Sequence, residues 1–289
     1  MAIFIDPPLW PAHGTHFAHM ISDTSLAELH EFAATAGVNE RAFDRDHYDV
    51  PEGRCAELAG LGAQRVDGRT LVRTLVASGL RVPARERSDA LVRPLTQRWN
   101  DVLPGNRKLG GELLKCWGED HRRYHDRAHL LNVLESLDRL TCAAGPPRAV
   151  VLAAWFHDAV YRGAAGEDEE ASARLAEERL TKAGLGSAEV TEVARLVRLT
   201  STHDPAPEDA PGALLCDADL SVLGRSPSGY RRYLDAVRAE YAHVGDANFK
   251  AGRAAVVRGL LALDPLFRTP AGRRMWEDAA RWNLESELA

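Results

Sequence analysis

From about Ala90 to the C-terminus, apolar residues recur at helical spacing and no stretch reads clearly as a strand. Such a segment can bury its apolar faces only by packing helix on helix. Leu130, Leu134 and Leu137 fall at i, i+4 and i+7, the stripe of a core-facing helix. Ala149 to Tyr161 is apolar nearly all round and is expected as the buried central helix. Glu169 to Ala183 is amphipathic and stops at Gly184, and Ala188 to Thr200 carries Val190, Val193, Leu196 and Val197 on one side. Ala213 to Leu223 ends at Gly224, and three further helices are expected over Ser228 to His243, Phe249 to Leu263 and Ala271 to Leu288.

The texture before residue 82 is different. Ala2 to Asp6 reads as a buried strand closed by Pro7-Pro8. Ser25 to Ala36 is helical, with Thr24 or Asp23 as N-cap and Gly37 as stop. Pro51 is expected to open another helix that ends at Gly60 or Gly62. Ala63 to Val66 suits a second short strand, and Asp67-Gly68 turns into a helix from Arg69 to Ser78. Alternating strand and helix indicates a small α/β unit. The charged run Arg81 to Asp89 is poor in apolar residues and reads as a connection. A chain of 289 residues is long enough for two domains. The expected organisation is therefore a small α/β domain over 1–82, a linker over 83–89 and an all-α domain over 90–289.

Bulk properties exclude several classes. The formal net charge of −6 argues against an extended nucleic-acid surface. A small anionic substrate stays compatible, because a bound metal supplies local positive charge. Cys55, Cys116, Cys142 and Cys216 are far apart with no CxxC pair, which disfavours a zinc knuckle and suits buried, reduced thiols. Met1 to Asp6 lacks the basic start of a signal peptide, and no apolar run approaches the ~20 residues of a membrane span. A cytoplasmic protein without a membrane partner is expected; oligomeric state is left open.

The chemistry concentrates in the helical part. Tyr124-His125-Asp126-Arg127-Ala128-His129 is followed by Trp155-Phe156-His157-Asp158 and by Asp217-Ala218-Asp219-Leu220. On a helix, His125 and His129 would share one face, one turn apart. Adjacent His157 and Asp158 on a helix would point about 100° apart, so both reach one ion only at a helix edge. A single buried His is more often a satisfied core residue than a ligand. Charges on an apolar helix, however, cost several kcal/mol unless paired or metal-bound. Taken together, one of His125 and His129 with His157, Asp158 and Asp219 suggests a divalent metal site with open positions for water, compatible with Mn, Zn, Mg, Fe or Co. Such a metal acidifies water and polarises a phosphoryl oxygen.

At these residues the chain resembles the HD-domain metal-dependent phosphohydrolase superfamily, over about Trp99 to Leu288. Four further segments carry the likeness: His121-Arg122-Arg123-Tyr124-His125, Asp168-Glu169-Glu170-Ala171-Ser172-Ala173, Asp217 to Gly224, and Ala280-Arg281-Trp282-Asn283-Leu284. The resemblance implies that His129, His157, Asp158 and Asp219 are the metal ligands, with Asp217 as orienter or as the ligand in place of Asp219. The YHxxxH pattern is also similar to that of cyclic nucleotide phosphodiesterases, which implies that His125 is the general acid. Glu169 is then a candidate base or second-metal contact, unless it is simply an exposed charge. His203 lines the pocket or sits as a helix C-terminal His. Arg122, Arg123 and Lys250 are candidates to hold phosphate. Enzymes that hydrolyse the alarmone (p)ppGpp carry a Glu-Asp pair where Tyr161 and Arg162 stand here, which argues against that substrate. The implied activity is hydrolysis of a phosphomonoester or phosphodiester of a nucleotide or small metabolite. A nucleotide-sensing protein without turnover and a di-iron oxygenase are the alternatives.

Residues 1 to about 82 resemble a small bacterial domain of unknown function, on Asp6 to Gly14, Ser22 to Ala33 and Asp46 to Pro51. That likeness brings no activity. His13, His16 and His19 recur every three residues, with Asp6, Asp23, His47 and Asp49 also at hand. Either a metal or phosphate pocket or a loop held by His–Asp hydrogen bonds follows from them, the loop being the plainer expectation.

Overall fold

The computed structural model describes residues 2–12, 14–44, 46–81, 88–164 and 166–289, with backbone alone at 88, 89 and 143. The chain divides into two compact units, Met1–Ala84 and Arg85–Ala289. The expected linker falls mostly outside the described residues; its last two residues, Ser88 and Asp89, already belong to a helix.

The first unit is α/β. Its strands are β1 (Ile3–Ile5), β2 (Trp10–Ala12), β3 (Thr15–Ser22), β4 (Phe43–Asp44), β5 (His47–Pro51) and β6 (Gln64–Arg65); its helices are α1 (Leu26–Thr35), α2 (Cys55–Gly60) and α3 (Gly68–Ala77). The sheet runs β4-β5-β3-β1-β6, with β2 also on β3. β1 pairs with β6 in parallel and with β3 antiparallel. Strand periodicity sends Ile3, Ile5, Ala18, Met20, Tyr48 and Val50 to one face, where they bury against Leu29 and Ala33 of α1 and Leu58 of α2. On the opposite face Phe4 and Ile21 pack on Leu71 and Leu75 of α3 and on Leu80.

The two anticipated strands exist as β1 and β6, but four others were not foreseen. The residues that follow Asp6, with His16 and His19 among them, read in the sequence as a loop held by His–Asp hydrogen bonds. Thr15 to Ser22 instead forms the central strand, sending Ala18 and Met20 to one buried face and Ile21 to the other. Pro51 closes β5 rather than opening a helix. It lies opposite Phe17, beyond the reach of β4, so its missing N–H breaks no β4–β5 pairing. A 3₁₀ turn, Glu52–Arg54, then leads into α2. The cap of α1 is Ser25, whose Oγ accepts the Glu28 N–H at 3.1 Å. Asp23 accepts instead from the Ala2 N–H and the Thr24 hydroxyl, each at 2.8 Å.

The second unit has helices and no strand among its described residues: α4 (Ser88–Val102), α5 (Arg107–Cys116), α6 (Arg127–Thr141), α7 (Arg148–Phe156), α8 (Glu167–Lys182), α9 (Ser187–Leu199), α10 (Ala210–Asp219), α11 (Pro227–Glu240), α12 (Asp246–Ala262), α13 (Pro270–Gly272) and α14 (Asp278–Leu288), with a π turn, Arg273–Glu277, before α14. Helix α7 is central; Val150, Leu152, Ala153, Ala154, Trp155 and Phe156 are all fully buried. It is ringed by α6, α8, α9 and α10. No helix among the described residues is long and apolar enough to cross a membrane. All four cysteines are free; Cys216 alone is buried, and Cys142 is exposed, contrary to the expectation of four buried thiols.

Two helix ends differ from expectation, and both shape the site. Helix α7 stops at Phe156, so His157 and Asp158 sit in the turn beyond it. Side chains from elsewhere claim the backbone there: Arg122 donates to the carbonyls of Asp158 (2.8 Å) and Ala159 (3.2 Å). Ser172 of α8 binds both the N–H and the carbonyl of Val160. Helix α6 begins only after Asp126, whose carboxylate accepts the N–H groups of Ala128 and His129. His125 therefore precedes α6 and shares no helix face with His129.

Packing around α5 gives a direct test of this core. A Cβ added at Gly110 would lie 2.3 Å from Cδ1 of the buried Trp99, whereas one at Gly111 meets nothing within 4 Å. Gly110→Ala is expected to destabilise the protein by about 1–3 kcal/mol through overpacking, read as a fall in Tm of roughly 2–4 °C per kcal/mol. Gly111→Ala is expected to leave Tm unchanged or raise it slightly, since alanine favours helix by up to ~1 kcal/mol. Equal Tm shifts for the two variants would contradict the packing described.

Candidate metal centre

Four side chains from separate segments converge at one end of α7. His129 comes from the first turn of α6, His157 and Asp158 from the turn after α7, and Asp219 from the last residue of α10. His129 Nε2 lies 3.2 Å from His157 Nε2 and 3.1 Å from Asp219 Oδ1. Asp158 Oδ2 is 3.2 Å from His157 Nε2 and 3.8 Å from His129 Nε2, and Asp219 Oδ1 is 3.7 Å from His157 Nε2. Bonds of about 2.0–2.2 Å to one cation place ligand atoms roughly 3–3.5 Å apart, close to these separations.

The residues around them hold these orientations. The His157 Nδ1–H donates to the Ala154 carbonyl at 2.9 Å, so in the neutral ring Nε2 is the lone-pair nitrogen facing the cluster. His203 Nε2 lies 2.8 Å from Asp219 Oδ2. Its backbone φ of 52° is in the left-handed region, a strain on the order of 1 kcal/mol sustained where the ring meets Asp219. Nδ1 of His129 is buried and has no hydrogen-bond partner among the described residues. A cation at Nε2 puts the ring proton on that orphaned nitrogen, a cost of about 1–3 kcal/mol that its coordination must exceed.

Electrostatics point the same way. Burial alone would lower the His157 pKa, but the charges of Asp158 and Asp219 push it up to about 9. Against their own burial, both carboxylates are held well below the usual range, chiefly by the charge of His157. The pKa of His129 is lowered by burial. Two ionised carboxylates thus gather a proton onto one imidazole, and a divalent cation bound among these atoms would take the place of that proton. The donor set of two imidazoles and two carboxylates fits a divalent transition metal.

His125 stands beside this cluster, 5.6 Å from the His129 ring, centroid to centroid. Its Nδ1 is 2.5 Å from Glu240 Oε1, and its ring stacks on Tyr161 at 4.2 Å. Glu240 also accepts the N–H groups of Arg123, Tyr124 and His125. Although burial opposes charge on both, the contact raises the pKa of His125 and lowers that of Glu240 to about 2. Glu240, at the end of α11, was missed in the sequence, where it is one acid among many on a helix more than a hundred positions away.

Asp217 is not part of the cluster. Its carboxylate accepts the N–H groups of Arg268 (2.7 Å) and Thr269 (2.8 Å) and the Thr269 hydroxyl (2.6 Å). Of the Asp217/Asp219 alternatives, Asp219 is the one that meets the histidines. Glu169 lines the cavity beside the cluster, but one of its oxygens accepts the Gly166 N–H at 2.5 Å, in the first turn of α8. Arg122 is not a phosphate clamp. It is buried, and its guanidinium is taken up by Glu119 and by the carbonyls of His125, Asp158 and Ala159. Arg123 binds the carbonyls of Asp120 and Arg122, and Lys250 is exposed and does not line the cavity.

The cavity has a volume of about 490 Å³ and carries His125, Asp158, His203 and Asp219 at its polar end. Tyr233, Val237, Tyr241, Phe249, Val256 and Leu260 form much of the remaining wall. Arg253, one turn from Lys250, is the Lys/Arg side chain among its lining residues, and its guanidinium is held by Glu287 and the Tyr233 hydroxyl. Sequence periodicity marks α12 as a helix but does not say which of its faces meets this cavity.

No curated protein and no solved structure matches the chain. Residues 3–78, nearly the whole of the α/β unit, match the family model described as a protein of unknown function, DUF4031.

Proposed function

We propose that the helical unit is a metal-dependent phosphohydrolase of the HD type. The observation that carries this reading is the approach of two imidazole Nε2 atoms to 3.2 Å of one another, with Asp158 and Asp219 oxygens alongside, at the polar end of a cavity. In this reading His129, His157, Asp158 and Asp219 hold the cation. A bound divalent cation supplies Lewis-acid polarisation of the phosphate and acidifies a water.

The chain's own groups supply the rest. His125, kept protonated by Glu240, donates a proton to the departing oxygen. His203 positions Asp219. Glu169, which lines the cavity with one oxygen tied to the Gly166 N–H, keeps its other oxygen for the role of base. The wall of tyrosines, Phe249 and aliphatic side chains receives the organic part of the ester and keeps water out. Arg253 is the Lys/Arg side chain among the cavity's described lining residues and is already paired, so a metal held by the four ligands would have to meet most of the phosphate charge. That suits a phosphomonoester or a diester of a nucleotide or similar small metabolite, and disfavours polyphosphates.

The test is a screen of nucleotide and sugar phosphate esters and diesters with Mn²⁺, Zn²⁺, Mg²⁺, Fe²⁺ or Co²⁺. Release of phosphate or alcohol that depends on the metal and disappears with chelator is expected. Tight nucleotide binding without turnover would identify a sensor instead. Oxygen uptake with two irons per chain would identify an oxygenase.

The His125–Glu240 pair adds a prediction with a definite sign. The general acid must be protonated, and Glu240 raises the His125 pKa. Glu240→Gln removes that charge while keeping an acceptor for the backbone N–H groups, so the alkaline limb of the kcat profile is expected to move to lower pH. His125→Ala is expected to lose about 10²–10⁴-fold in kcat with metal content unchanged. An unmoved alkaline limb in the Glu240→Gln enzyme would exclude His125 as the acid.

A further inference from the structure

The α/β unit holds a second converging set of ligand atoms, unrelated to the helical site. β3 and β5 pair so that His19 lies opposite Asp49, and His47 is two residues from Asp49 on the same face. Asp6, next in register after the Ile5–Met20 pair, joins that face from the end of β1. This face is apolar where Phe4 and Ile21 meet α3, and two residues further along it changes to Asp6, His19, Asp49 and His47. His19, His47 and Asp49 each offer one ligand atom, all within 4.8 Å of one another. Nε2 of His19 is 3.8 Å and Nε2 of His47 is 3.5 Å from Asp49 Oδ1.

Each imidazole is oriented by its own buried acid. His19 Nδ1 is 3.1 Å from Asp6 Oδ2, while Asp6 Oδ1 accepts the His19 backbone N–H at 2.6 Å. His47 Nδ1 is 2.6 Å from Oδ1 of Asp46, which is 1% exposed. Both rings therefore present Nε2 to Asp49. A carboxylate behind each ligating histidine is the usual support of a metal site, because it fixes the tautomer and raises ligand basicity. Three carboxylates surround the two rings, and Arg81 is a facing cation, at 3.6 Å from Asp46 Oδ2. Burying Asp6 and Asp46 costs free energy that sheet packing alone would not require.

We propose that His19, His47 and Asp49 form a second metal centre, which binds one divalent transition-metal cation through two imidazoles and a carboxylate. The donor set selects Zn²⁺, Fe²⁺, Co²⁺ or Ni²⁺ over the harder Mg²⁺ and Ca²⁺. Three protein ligands leave coordination positions open, and the 45% exposure of the Asp49 side chain puts them toward solvent, where an exogenous ligand can enter. The three-residue spacing of His16 and His19 is not the ligand pattern, since an odd offset on a strand puts His16 on the other face. His13 lies outside the described residues.

The probe is Co²⁺ added to chelator-stripped full-length protein carrying Asp219→Asn, which removes the helical site. One equivalent is expected to bind, with visible ligand-field bands. It should also quench part of the tryptophan fluorescence, because Trp10 lies 5.4 Å from the His19 ring. Trp10→Phe, an exposed position, should abolish that quenching without changing stoichiometry. Asp49→Ala or His19→Ala should weaken binding by at least about 100-fold while the circular dichroism spectrum is retained. No stoichiometric Co²⁺ in the Asp219→Asn protein, or quenching that survives Trp10→Phe, would overturn the proposal. The reverse background, Asp49→Ala with Asp219 intact, reads the helical site by itself, so failure at one centre is distinguishable from failure at the other.

Discussion

Asp219→Asn is expected to empty the helical site of metal and to lower turnover by at least about 10³-fold, with the fold intact. Asparagine keeps the size of the side chain and an oxygen toward His203, but it removes one of the two carboxylate charges in the cluster. Lewis-acid stabilisation of a phosphoryl transition state is worth several kcal/mol, and each 1.36 kcal/mol is tenfold in rate. Metal content per chain and initial rates check this. A variant that keeps its metal and its activity would show that Asp219 is no ligand.

Two residues away, Asp217→Ala should do the opposite. It is expected to cost about 2–5 kcal/mol of stability while the folded fraction still binds metal at the helical site. Asp217 is fully buried and accepts two backbone N–H groups and a hydroxyl from Arg268 and Thr269; Thr269 in turn caps α13 through the Gly272 N–H at 2.9 Å. Gly272 packs so closely that an added Cβ would lie 2.3 Å from Asp217 Oδ2. Burial lifts the Asp217 carboxyl above its ordinary range even with these donors aimed at it, so the group is retained as an anchor between α10 and the C-terminal helices. Alanine leaves two part-buried N–H groups and a hydroxyl without this acceptor, each costing up to about 1–3 kcal/mol, and opens a cavity at a fully buried position. Thermal unfolding, with metal analysis of the soluble protein, separates the two aspartates. Loss of metal at unchanged stability in Asp217→Ala would reverse the assignment.

The DxD segment shows what a sequence carries and what it withholds. Residue types and helical periodicity mark His125, His129, His157, Asp158 and the Asp217/Asp219 pair as candidates, because a buried charge on an apolar helix demands a partner, and the family resemblance points to His129 among the first two. They did not say which aspartate faces inward, because that depends on Thr269, some fifty residues away. The helix ends beside the site were misread for the same reason. The end of α7 is fixed by Arg122 and Ser172 rather than by any local glycine or proline. Asp126, by contrast, is a local N-cap signal for the start of α6, and it places His125 outside the helix despite its four-residue spacing from His129. In the α/β unit, the polar residues Thr15, His16, His19 and Ser22 break any simple alternation along β3, so the segment looks like a loop in the sequence. The pairing of β3 with β5 is what turns His19, His47 and Asp49 from scattered residues into one cluster.

The central claim is that His129, His157, Asp158 and Asp219 hold one divalent cation. Anomalous X-ray diffraction from crystals grown with Mn²⁺ tests it most directly. One strong peak is predicted among the two Nε2 atoms and the two carboxylates, at about 2.0–2.3 Å from its ligands. Absence of any peak there under excess Mn²⁺, with the two Nε2 atoms still within 3.2 Å of each other, would contradict the account.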